Sequence, residues 1–292
     1  MSLVFDIILS GLILGGMYAL TAMGLTLQYG MARIMNLSYG EFLIAAAFGA
    51  HWLFAAMAVS PLYGLIAVIP LAFVVNWAIY QVLLIPLVRR ARNRDMLEVD
   101  SILATFGLLF IVQGIMLVIF GGQYHSYSYL AIPLDILGST VALNRLLALL
   151  LAAVLGVALY LVLKRTRFGT AIRAVAVNPI SAELSGINVR ATSAFAFALG
   201  GAMVAAGGVL VSMFLTFNAN MGVVFTMRAL IVVIMGGVGN LLGALVAGLV
   251  LGLAETMVAR LFDPGLTLAV TFALFLIVLL VRPTGLFGRS AR

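Results

Sequence analysis

The stretch from residue 146 to residue 163 reads LLALLLAAVLGVALYLVL, eighteen consecutive residues without a charge. A helix crosses the hydrocarbon core of a bilayer, about 30 Å thick, with about 20 apolar residues. Similar apolar stretches recur along the whole chain, at roughly 7–27, 41–58, 62–87, 102–120, 143–163, 193–215, 228–236, 241–259 and 266–281. Because these runs are continuous rather than alternating, they favour helices over a membrane β-barrel. The sequence therefore predicts an all-α, polytopic membrane helix bundle with eight or nine transmembrane helices, some broken or re-entrant.

Composition points the same way and excludes several classes of protein. Of 292 residues, 65% are hydrophobic and 9% are charged, whereas soluble chains carry about 25% charged residues. We expect one transmembrane domain over residues 1–292, with no cleaved signal peptide because the first residues lack a basic region. The absence of cysteine excludes disulfides and thiolate metal sites. The two histidines, His51 and His125, are far apart in sequence and are interpreted as structural residues rather than metal ligands.

The net charge of +7 is explained by membrane topology rather than by nucleic-acid binding. Thirteen of the sixteen basic residues lie in segments that the positive-inside rule assigns to the cytoplasm. These segments carry Arg33; Arg89, Arg90, Arg92 and Arg94; Lys164, Arg165, Arg167, Arg173 and Arg190; and Arg282, Arg289 and Arg292. Counting spans then predicts an N-terminus outside and a C-terminus in the cytoplasm, with Arg145, Arg228 and Arg260 outside.

The main outside loop on this topology runs from Gly121 to Leu143. It is rich in aromatic residues, and Tyr124, Tyr127 and Tyr129 suit either an interfacial belt or a docking surface.

The polar segment at 164–192 is too patterned to be a simple connector. Phe168 to Val177 is rich in helix formers, and Asn178 can cap a second helix that has Pro179 at its first position. Gly186 is a plausible helix terminator. Apolar residues at helical spacing, Ile180, Leu184 and Ile187, give this segment an amphipathic face. Such a face either rests on lipid headgroups or the base of the bundle, or docks on a cytoplasmic partner.

Two glycine-rich breaks interrupt the apolar stretches and are candidates for the translocation pathway or its gate. The first break has the sequence RIMNLSYGEF, and its polar and small residues are Asn36, Ser38, Gly40 and Glu41. Ser38 and Glu41 have the spacing of a capping box that begins the next helix. A gating or pathway role is equally compatible with these residues, because broken helices in membranes face protein or a wet cavity. The second break is GGVGN, with Gly236, Gly237 and Asn240 as candidates.

Other polar residues within the apolar stretches have simpler interpretations. Arg228 and Glu255 are interpreted as interfacial charges that extend toward the headgroups, with a salt bridge or a binding-protein contact as alternatives. Asn76 and Gln113 are typical of interhelical hydrogen-bonding residues. Charges near the middle of spans are almost absent, which argues against an ion-coupled secondary transporter. No carboxylate pair or nucleophile with a base suggests a membrane enzyme.

Four motifs, in this order along the chain, resemble one known family. They are GLILGGMYALTAMGLTLQYGMARIMNLSYGEFLIAAAF at 11–48, FGTAIRAVAVNPISAELSGINV at 168–189, GGVGNLLGALVAGLVLGLAE at 236–255, and RPTGLFGR at 282–289. Together they resemble the permeases of branched-chain amino acid ABC importers, in the wider group that includes ribose and urea permeases.

The resemblance implies a membrane-embedded permease subunit whose cytoplasmic loop at 164–192 docks on an ATP-binding subunit. The docking residues that it implies are Gly169, Arg173, Ala174, Asn178, Pro179, Ala182, Glu183, Leu184 and Gly186. The implied partners are a second permease subunit, related but different, two ATP-binding subunits that carry ATP and Mg, and a periplasmic substrate-binding protein. The implied location is a bacterial inner membrane, where the basic segments can also contact anionic lipid.

The chain itself has no ATPase motif, so we expect no enzyme activity and no bound cofactor. A P-loop needs Gly-x-x-x-x-Gly-Lys-Ser/Thr, and Lys164 is the only lysine, followed by Arg165. The expected solutes are branched-chain or other small amino acids, with urea, short amides or small organic acids as alternatives. An ATP-independent secondary transporter is the alternative from another class. We expect the chain to offer no fixed charge pair for an amino acid zwitterion.

Overall fold

The computed structural model describes residues 2–32, 34–90, 94–136 and 139–288. Four arginines of the predicted basic segments, Arg33, Arg92, Arg289 and Arg292, lie outside these described residues. Within the described ranges the chain forms twelve α-helices and one β-hairpin. In chain order they are α1 (Ser2–Ala32), α2 (Tyr39–Met57), α3 (Pro61–Ile79), a π-helical turn (Tyr80–Leu84), α4 (Ile85–Arg90), α5 (Arg94–Phe120), β1 (Pro133–Ile136), β2 (Ser139–Ala142), α6 (Leu143–Arg165), α7 (Arg167–Val177), α8 (Pro179–Leu184), α9 (Val189–Ser212), α10 (Gly222–Gly236), α11 (Leu241–Leu261), a 3₁₀ turn (Pro264–Leu266) and α12 (Thr267–Val281).

Eight helical stretches among the described residues are long and apolar enough to cross a membrane. They are α1, α2, the continuous run from α3 to α4, α5, α6, α9, α11 and the run that ends with α12. The prediction of a polytopic helical bundle is confirmed. The predicted stretch at 228–236 belongs to α10, whose 15 residues extend about 22 Å and are too short to cross the bilayer alone.

The bundle has two distinct ends. The end that carries α7, α8 and Arg165 is called the basic end, and the end that carries β1 and β2 is called the hairpin end. Asp6 near the start of α1 accepts a hydrogen bond of 3.4 Å from Ser139 in β2, which places the N-terminal helix at the hairpin end. Residues 282–288, which we call the C-terminal segment, instead pair with the last turn of α10, where the Leu286 amide donates to the Met235 carbonyl. The start of α1 and the C-terminal segment therefore lie at opposite ends of the bundle.

The crossing before α11 is completed by α10 together with the non-helical segment that precedes it. Phe217 and His125 exchange backbone hydrogen bonds of 2.8 and 3.0 Å, which fixes this segment at the hairpin end. From there α10 continues to Gly236, next to the C-terminal segment at the basic end. A short helix and the non-helical segment before it thus take the place of the predicted ninth span.

Helix α9 forms the centre of the bundle because its small residues allow close helix contacts. Every residue from Gly200 to Ser212 is buried. A Cβ at Gly208 would overlap the carbonyl oxygen of Leu43 in α2, so only glycine permits this approach. By contrast, α5 and α12 lie at the rim with large apolar side chains exposed, such as Val118 and Leu280. This distribution is typical of a bundle that presents its apolar outer surface to lipid.

The hairpin was not predicted, because its strands have only four residues each. Pro133 pairs with Ala142 and Ile136 with Ser139 in antiparallel register. Leu143, the first residue of α6, donates to the carbonyl of Ile132 and so joins the hairpin to the bundle.

Candidate translocation and docking sites

The first break is a segment of non-helical backbone in the interior of the bundle, between α1 and α2. Its backbone groups are satisfied by hydroxyl side chains from neighbouring helices. Thr105 of α5 accepts from the Leu37 amide at 3.1 Å and lies 3.0 Å from the Met35 carbonyl. Thr226 of α10 accepts from the Gly40 amide at 2.8 Å. Irregular backbone is tolerated at membrane depth only with such partners, so these two threonines stabilise the break.

A buried amide network fixes the same segment to α1 and α9. The Asn36 side-chain oxygen accepts from the Ser38 amide at 3.1 Å and from the Ser38 hydroxyl at 2.7 Å. The Asn36 amide nitrogen donates to Gln28 at 3.0 Å, and Gln28 in turn donates to the carbonyl of Phe197 at 3.0 Å. Asn36, Ser38 and Gln28 are fully buried. Their hydrogen bonds hold three parts of the chain in one arrangement.

The predicted capping box at Ser38 and Glu41 is wrong. Ser38 does occupy the N-cap position of α2, but its hydroxyl donates to Asn36 and makes no side-chain cap. The Glu41 amide bonds the Ser38 carbonyl at 3.1 Å instead. The backbone of Ser38, with φ of −80° and ψ of 5°, is not in the extended N-cap conformation that would aim its hydroxyl oxygen at the Glu41 amide.

The carboxylate of Glu41 is buried without a hydrogen bond. Both of its oxygens lack a partner among the described residues, and the residue is 0% exposed. It lies against Gly222 at the start of α10, where a Cβ would overlap the carboxyl group. Gly40 makes an equally close approach to the backbone around Thr226. An unpaired carboxyl inside a membrane bundle is costly, and this keeps Glu41 a candidate for the pathway or gate.

The second break lies at the basic end, where the C-terminal segment covers it. Asn240 caps α11 by accepting from the Gly243 amide at 3.0 Å, and it donates to the Phe287 carbonyl at 3.1 Å. Phe287 also donates its own amide to the carbonyl of Gly236 at 3.1 Å. Gly237 has a φ of +100°, which favours glycine at the turn. Two of the sequence motifs, at 236–255 and 282–289, thus form one structural unit.

The structure places Glu41 far from the second break, although the end of α1 approaches that break where Gly30 packs against Gly239. Gly222, beside Glu41, begins α10, and Gly236 ends it. Fourteen residues at 1.5 Å each therefore separate Glu41 from Gly236 by about 21 Å along the helix. Asn36, Ser38, Gly40 and Glu41 form an interior group, whereas Gly236, Gly237 and Asn240 form a group at the basic end.

The predicted pair of short helices in the 164–192 segment is confirmed. Thr166 caps α7 by accepting from the Gly169 amide at 3.0 Å. Asn178 caps α8 by accepting from the amides of Ile180 and Ser181 at 3.1 and 3.2 Å, with Pro179 first in the helix. Gly186 has a φ of +79° directly after α8, as expected for a terminating glycine.

Three apolar side chains of this segment project away from the bundle. Val177, Ile180 and Leu184 are 85%, 70% and 85% exposed, and we call them the apolar stripe. Ile187, predicted on the same face, is half-buried and packs on the core. The amphipathic face therefore includes Val177 rather than Ile187.

The predicted docking residues divide into two groups by exposure. Gly169 and Ala182 are buried, and a Cβ at Gly169 would overlap the backbone of Leu163, so both residues position the helices. The others reach the surface fully or in part, and these are Arg173, Ala174, Asn178, Pro179, Glu183, Leu184 and Gly186.

Arg228 and Glu255 are not the interfacial charges that the sequence predicts. Glu255 is 2% exposed, and its carboxylate lies 3.4 Å from the Arg228 Nε. The Tyr18 hydroxyl donates to the other carboxylate oxygen at 2.7 Å, and the Thr271 hydroxyl donates to the oxygen nearer Arg228. Four helices thus hold a fixed charge pair, and the salt bridge that the sequence left as an alternative is confirmed.

Two other polar residues in the spans behave differently. Gln113 donates to Asn220 at 2.9 Å, so it joins α5 to the non-helical segment before α10 rather than to another helix. Asn76 donates within its own helix, to the Ala72 carbonyl at 2.9 Å, while Gly201 of α9 packs on its side chain.

The aromatic loop at the hairpin end packs on α2. His51 and His125, distant in sequence, have ring centroids 5.3 Å apart. Tyr127 stacks on Phe54 at 5.0 Å and shares a hydrogen bond of 2.8 Å with Ser212. Burial raises the pKa of Tyr127, and the bond to Ser212 partly opposes this. This tyrosine is therefore held inward as a neutral phenol.

Tyr124 differs from Tyr127, because it is 71% exposed and is available to a headgroup or a partner. In the part of the chain that the structure describes, no three His, Cys, Asp or Glu residues form a group that could hold a metal ion.

The fold and its interior break define a class of protein: a multi-pass helical membrane protein with broken helices in the manner of transport permeases. Residues 7–279 match the family described as the permease component of the branched-chain amino acid transport system. The chain belongs to this family.

Relatives of known name cover almost the whole chain. It is 28% identical to the high-affinity branched-chain amino acid transport system permease protein LivH of Escherichia coli K12, over 96% of this chain and 94% of LivH. Identity is 29% to LivH of Salmonella typhimurium, with the same coverage. It is also 29% to BraD of Pseudomonas aeruginosa, over 97% of this chain and 95% of BraD. No solved structure gives a significant match.

Proposed function

We propose that this chain is one permease subunit of an ATP-driven importer and forms half of the path for branched-chain or other small amino acids. A periplasmic binding protein delivers the solute, and a second, related permease subunit completes the path. The proposal is supported by the family membership and by the relatives, whose names describe branched-chain amino acid transport.

The observation that carries the ATP-driven part of the proposal is the apolar stripe at the basic end. Val177, Ile180 and Leu184 are exposed on a capped, well-packed element rather than on a loose loop. Exposed apolar patches of this kind mark interaction surfaces. A groove of about 490 Å³ between α7 and α8 adjoins the stripe and shares Val177 with it; its wall is mostly apolar, and Arg173 and Asn178 are among its polar residues. We assign this surface to an ATP-binding subunit.

The rigidity of α7 and α8 suits them to transmit movement. Gly169 packs against the last turn of α6, so displacement of α7 also displaces a spanning helix. Coupling requires that the partner binds this surface differently in its two nucleotide states. A rigid-body shift of the element then changes the bundle.

The remaining subunits and the orientation follow from the same proposal. Two ATP-binding subunits supply ATP and Mg, because this chain has no P-loop. The basic end faces the cytoplasm of a bacterial inner membrane, and the hairpin end faces the binding protein outside. Anionic lipid contacts the basic residues at the cytoplasmic surface.

The test compares two exposed apolar residues at the basic end. Leu184→Glu places a charge in the stripe, and Val238→Glu places one on the turn after α10, where Val238 is 51% exposed. Each tagged chain is purified from its native host in mild detergent, the bound proteins are identified, and ATPase activity is measured. We expect the wild type and Val238→Glu to retain ATP-binding subunits and activity, and Leu184→Glu to lose at least about tenfold of both.

Two results would contradict the proposal. One is an undiminished complex with Leu184→Glu, which removes the docking role of the stripe. The other is a chain that purifies alone and transports in response to an ion gradient without ATP, which favours a secondary transporter.

A further inference from the structure

A cavity of about 370 Å³ lies beside the buried charge pair, among α1, α9, α10, α11 and the start of α12. Ligand pockets of proteins have volumes of about 300–1,000 Å³, so this cavity accommodates a small solute. Most of its wall is apolar, with side chains that include Leu14, Met17, Val211, Phe214, Met221 and Phe225. Pro264 and Thr267 place one side of the cavity at the connection between α11 and α12.

The polar part of the cavity is asymmetric between acid and base. Glu255 is nearly saturated, because Tyr18, Thr271 and Arg228 all approach its carboxylate. Arg228 has five N–H donors, yet it makes no hydrogen bond of good geometry to the described residues; its Nε only approaches Glu255. The guanidinium also packs 5.4 Å from the centre of the Tyr18 ring, which limits its movement.

The second cation on the wall is already paired. Arg260 lies 3.1 Å from the Asp6 carboxylate, half-exposed near the hairpin end. Asp6 is not part of the cavity wall, and Glu255 is occupied by its three neighbours. Among the charged groups of the described cavity wall, Arg228 therefore keeps free donors, and these suit an anion.

We propose that this cavity binds the carboxylate of a small amphipathic solute through the terminal nitrogens of Arg228, with the apolar part of the solute against α1 and α9. This deepens the proposed function and rests on it: the carboxylate of a hydrophobic amino acid or organic acid is recognised within the permease itself. Arginine binds carboxylates through paired N–H donors. Neutral solutes such as urea and short amides have no anionic pair of oxygens for this position.

The first experiment is binding to the full chain in lipid nanodiscs, since every residue of the cavity wall comes from this chain. Radiolabelled L-leucine is the probe, and 4-methylpentanoate and L-leucinamide compete with it. The first competitor keeps the carboxylate and lacks the ammonium, and the second is the reverse. We expect 4-methylpentanoate to compete within about tenfold of L-leucine and L-leucinamide to be roughly ten- to a hundredfold weaker.

Variants then assign the effect to Arg228. We expect Arg228→Gln to weaken L-leucine binding at least about tenfold and Arg228→Lys to weaken it less, because lysine keeps the charge but not the paired donors. Arg145→Gln is the matched control, because Arg145 is an exposed arginine at the hairpin end that is not part of the cavity wall, and binding is expected to be unchanged. If Arg228→Gln misfolds because Glu255 loses its cation, the double variant Arg228→Gln with Glu255→Gln removes both charges and gives the same comparison.

The outcomes separate this inference from the proposed function. Equal binding by wild type and Arg228→Gln, or stronger competition by L-leucinamide than by 4-methylpentanoate, overturns the carboxylate site. So does the absence of saturable binding of both L-leucine and 4-methylpentanoate at millimolar concentrations. Each of these results leaves the copurification of ATP-binding subunits untouched, and loss of those subunits would leave the binding data untouched.

Discussion

The threonine hydroxyls that satisfy the interior break predict a measurable loss of stability when one is removed. Thr226→Val replaces the hydroxyl by a methyl group of similar size and leaves the Gly40 amide without its acceptor at 2.8 Å. A buried donor without a partner costs about 1–3 kcal/mol. The packing around Gly40 and Gly222 is too close for water to take the place of the hydroxyl, so the full penalty is expected.

The matched control is a buried threonine whose hydroxyl satisfies nothing else. Thr26 donates only to the Ala22 carbonyl of its own helix, at 2.8 Å, and that carbonyl keeps its helical hydrogen bond in Thr26→Val. Side-chain hydrogen bonds in membrane bundles average about 0.6 kcal/mol, which sets the upper expectation for the control. With the control at its upper value, Thr226→Val is therefore expected to cost about 0.4–2.4 kcal/mol more than Thr26→Val.

The assay is thermal unfolding of the purified chains in one detergent. A loss of 1 kcal/mol lowers Tm by about 2–4 °C in a chain of this order of size. We expect a decrease of about 2–12 °C for Thr226→Val and clearly less for Thr26→Val. Equal Tm values for the two variants would refute the reasoning that Thr226 stabilises the break. Thr105→Val, which removes the acceptor of the Leu37 amide, gives an independent repeat of the test.

Two further predictions concern packing and the covered end. Gly208→Ala places a methyl group against the carbonyl oxygen of Leu43 and is expected to lower Tm and folded yield. The control Gly107→Ala has nothing within 4 Å of the added Cβ and is expected to leave both quantities unchanged. Similar losses for the two variants would contradict the close contact of α2 and α9. Asn240→Ala removes the cap of α11 and the hydrogen bond to the Phe287 carbonyl. It is therefore expected to lower stability by about 1 kcal/mol and to speed proteolysis of the C-terminal segment. An unchanged cleavage rate would show that this hydrogen bond does not hold the segment.

The bundle and the pair of short helices α7 and α8 could be predicted from the sequence because local rules determine them. A run such as residues 146–163 has no alternative to a membrane helix. Asn178 followed by Pro179 defines the start of α8 through bonds to amides two and three residues away. Neither inference needs a residue from elsewhere in the chain.

The capping box failed because contacts beyond Ser38 and Glu41 determine the local backbone. Ser38 has the right spacing to Glu41, but its backbone is not extended as a cap requires, and both its amide and its hydroxyl donate to Asn36, which Gln28 of α1 fixes. The sequence signal for this network is weak: a glutamine near the end of an otherwise apolar helix. Polar residues in spans are worth reading as possible partners of one another rather than one at a time.

The sequence favoured interfacial charges over a salt bridge at Arg228 and Glu255, and this preference was wrong for a related reason. Arg228 and Glu255 lie on different helices, and Tyr18 completes the site from a position 237 residues away from Glu255. Spacing along one helix carries no information about such a contact. Each residue alone resembles an interfacial charge, and only the fold shows that the surroundings of the pair exclude that interpretation.

In the part of the chain that the structure describes, the two buried carboxyl groups, those of Glu41 and Glu255, both lie where local rules fail, and their surroundings are opposite. Glu255 is met by three donors, so its burial is compatible with a stable, fixed position. No donor among the described residues meets the carboxyl group of Glu41, which packs directly against Gly222. Helix packing alone would be satisfied by an apolar side chain at either position. Burial of the carboxyl group therefore lowers stability at Glu41 and is offset by hydrogen bonds at Glu255. Because of this contrast, we expect substitutions that preserve the fold to alter transport at the interior break and at the Arg228 cavity.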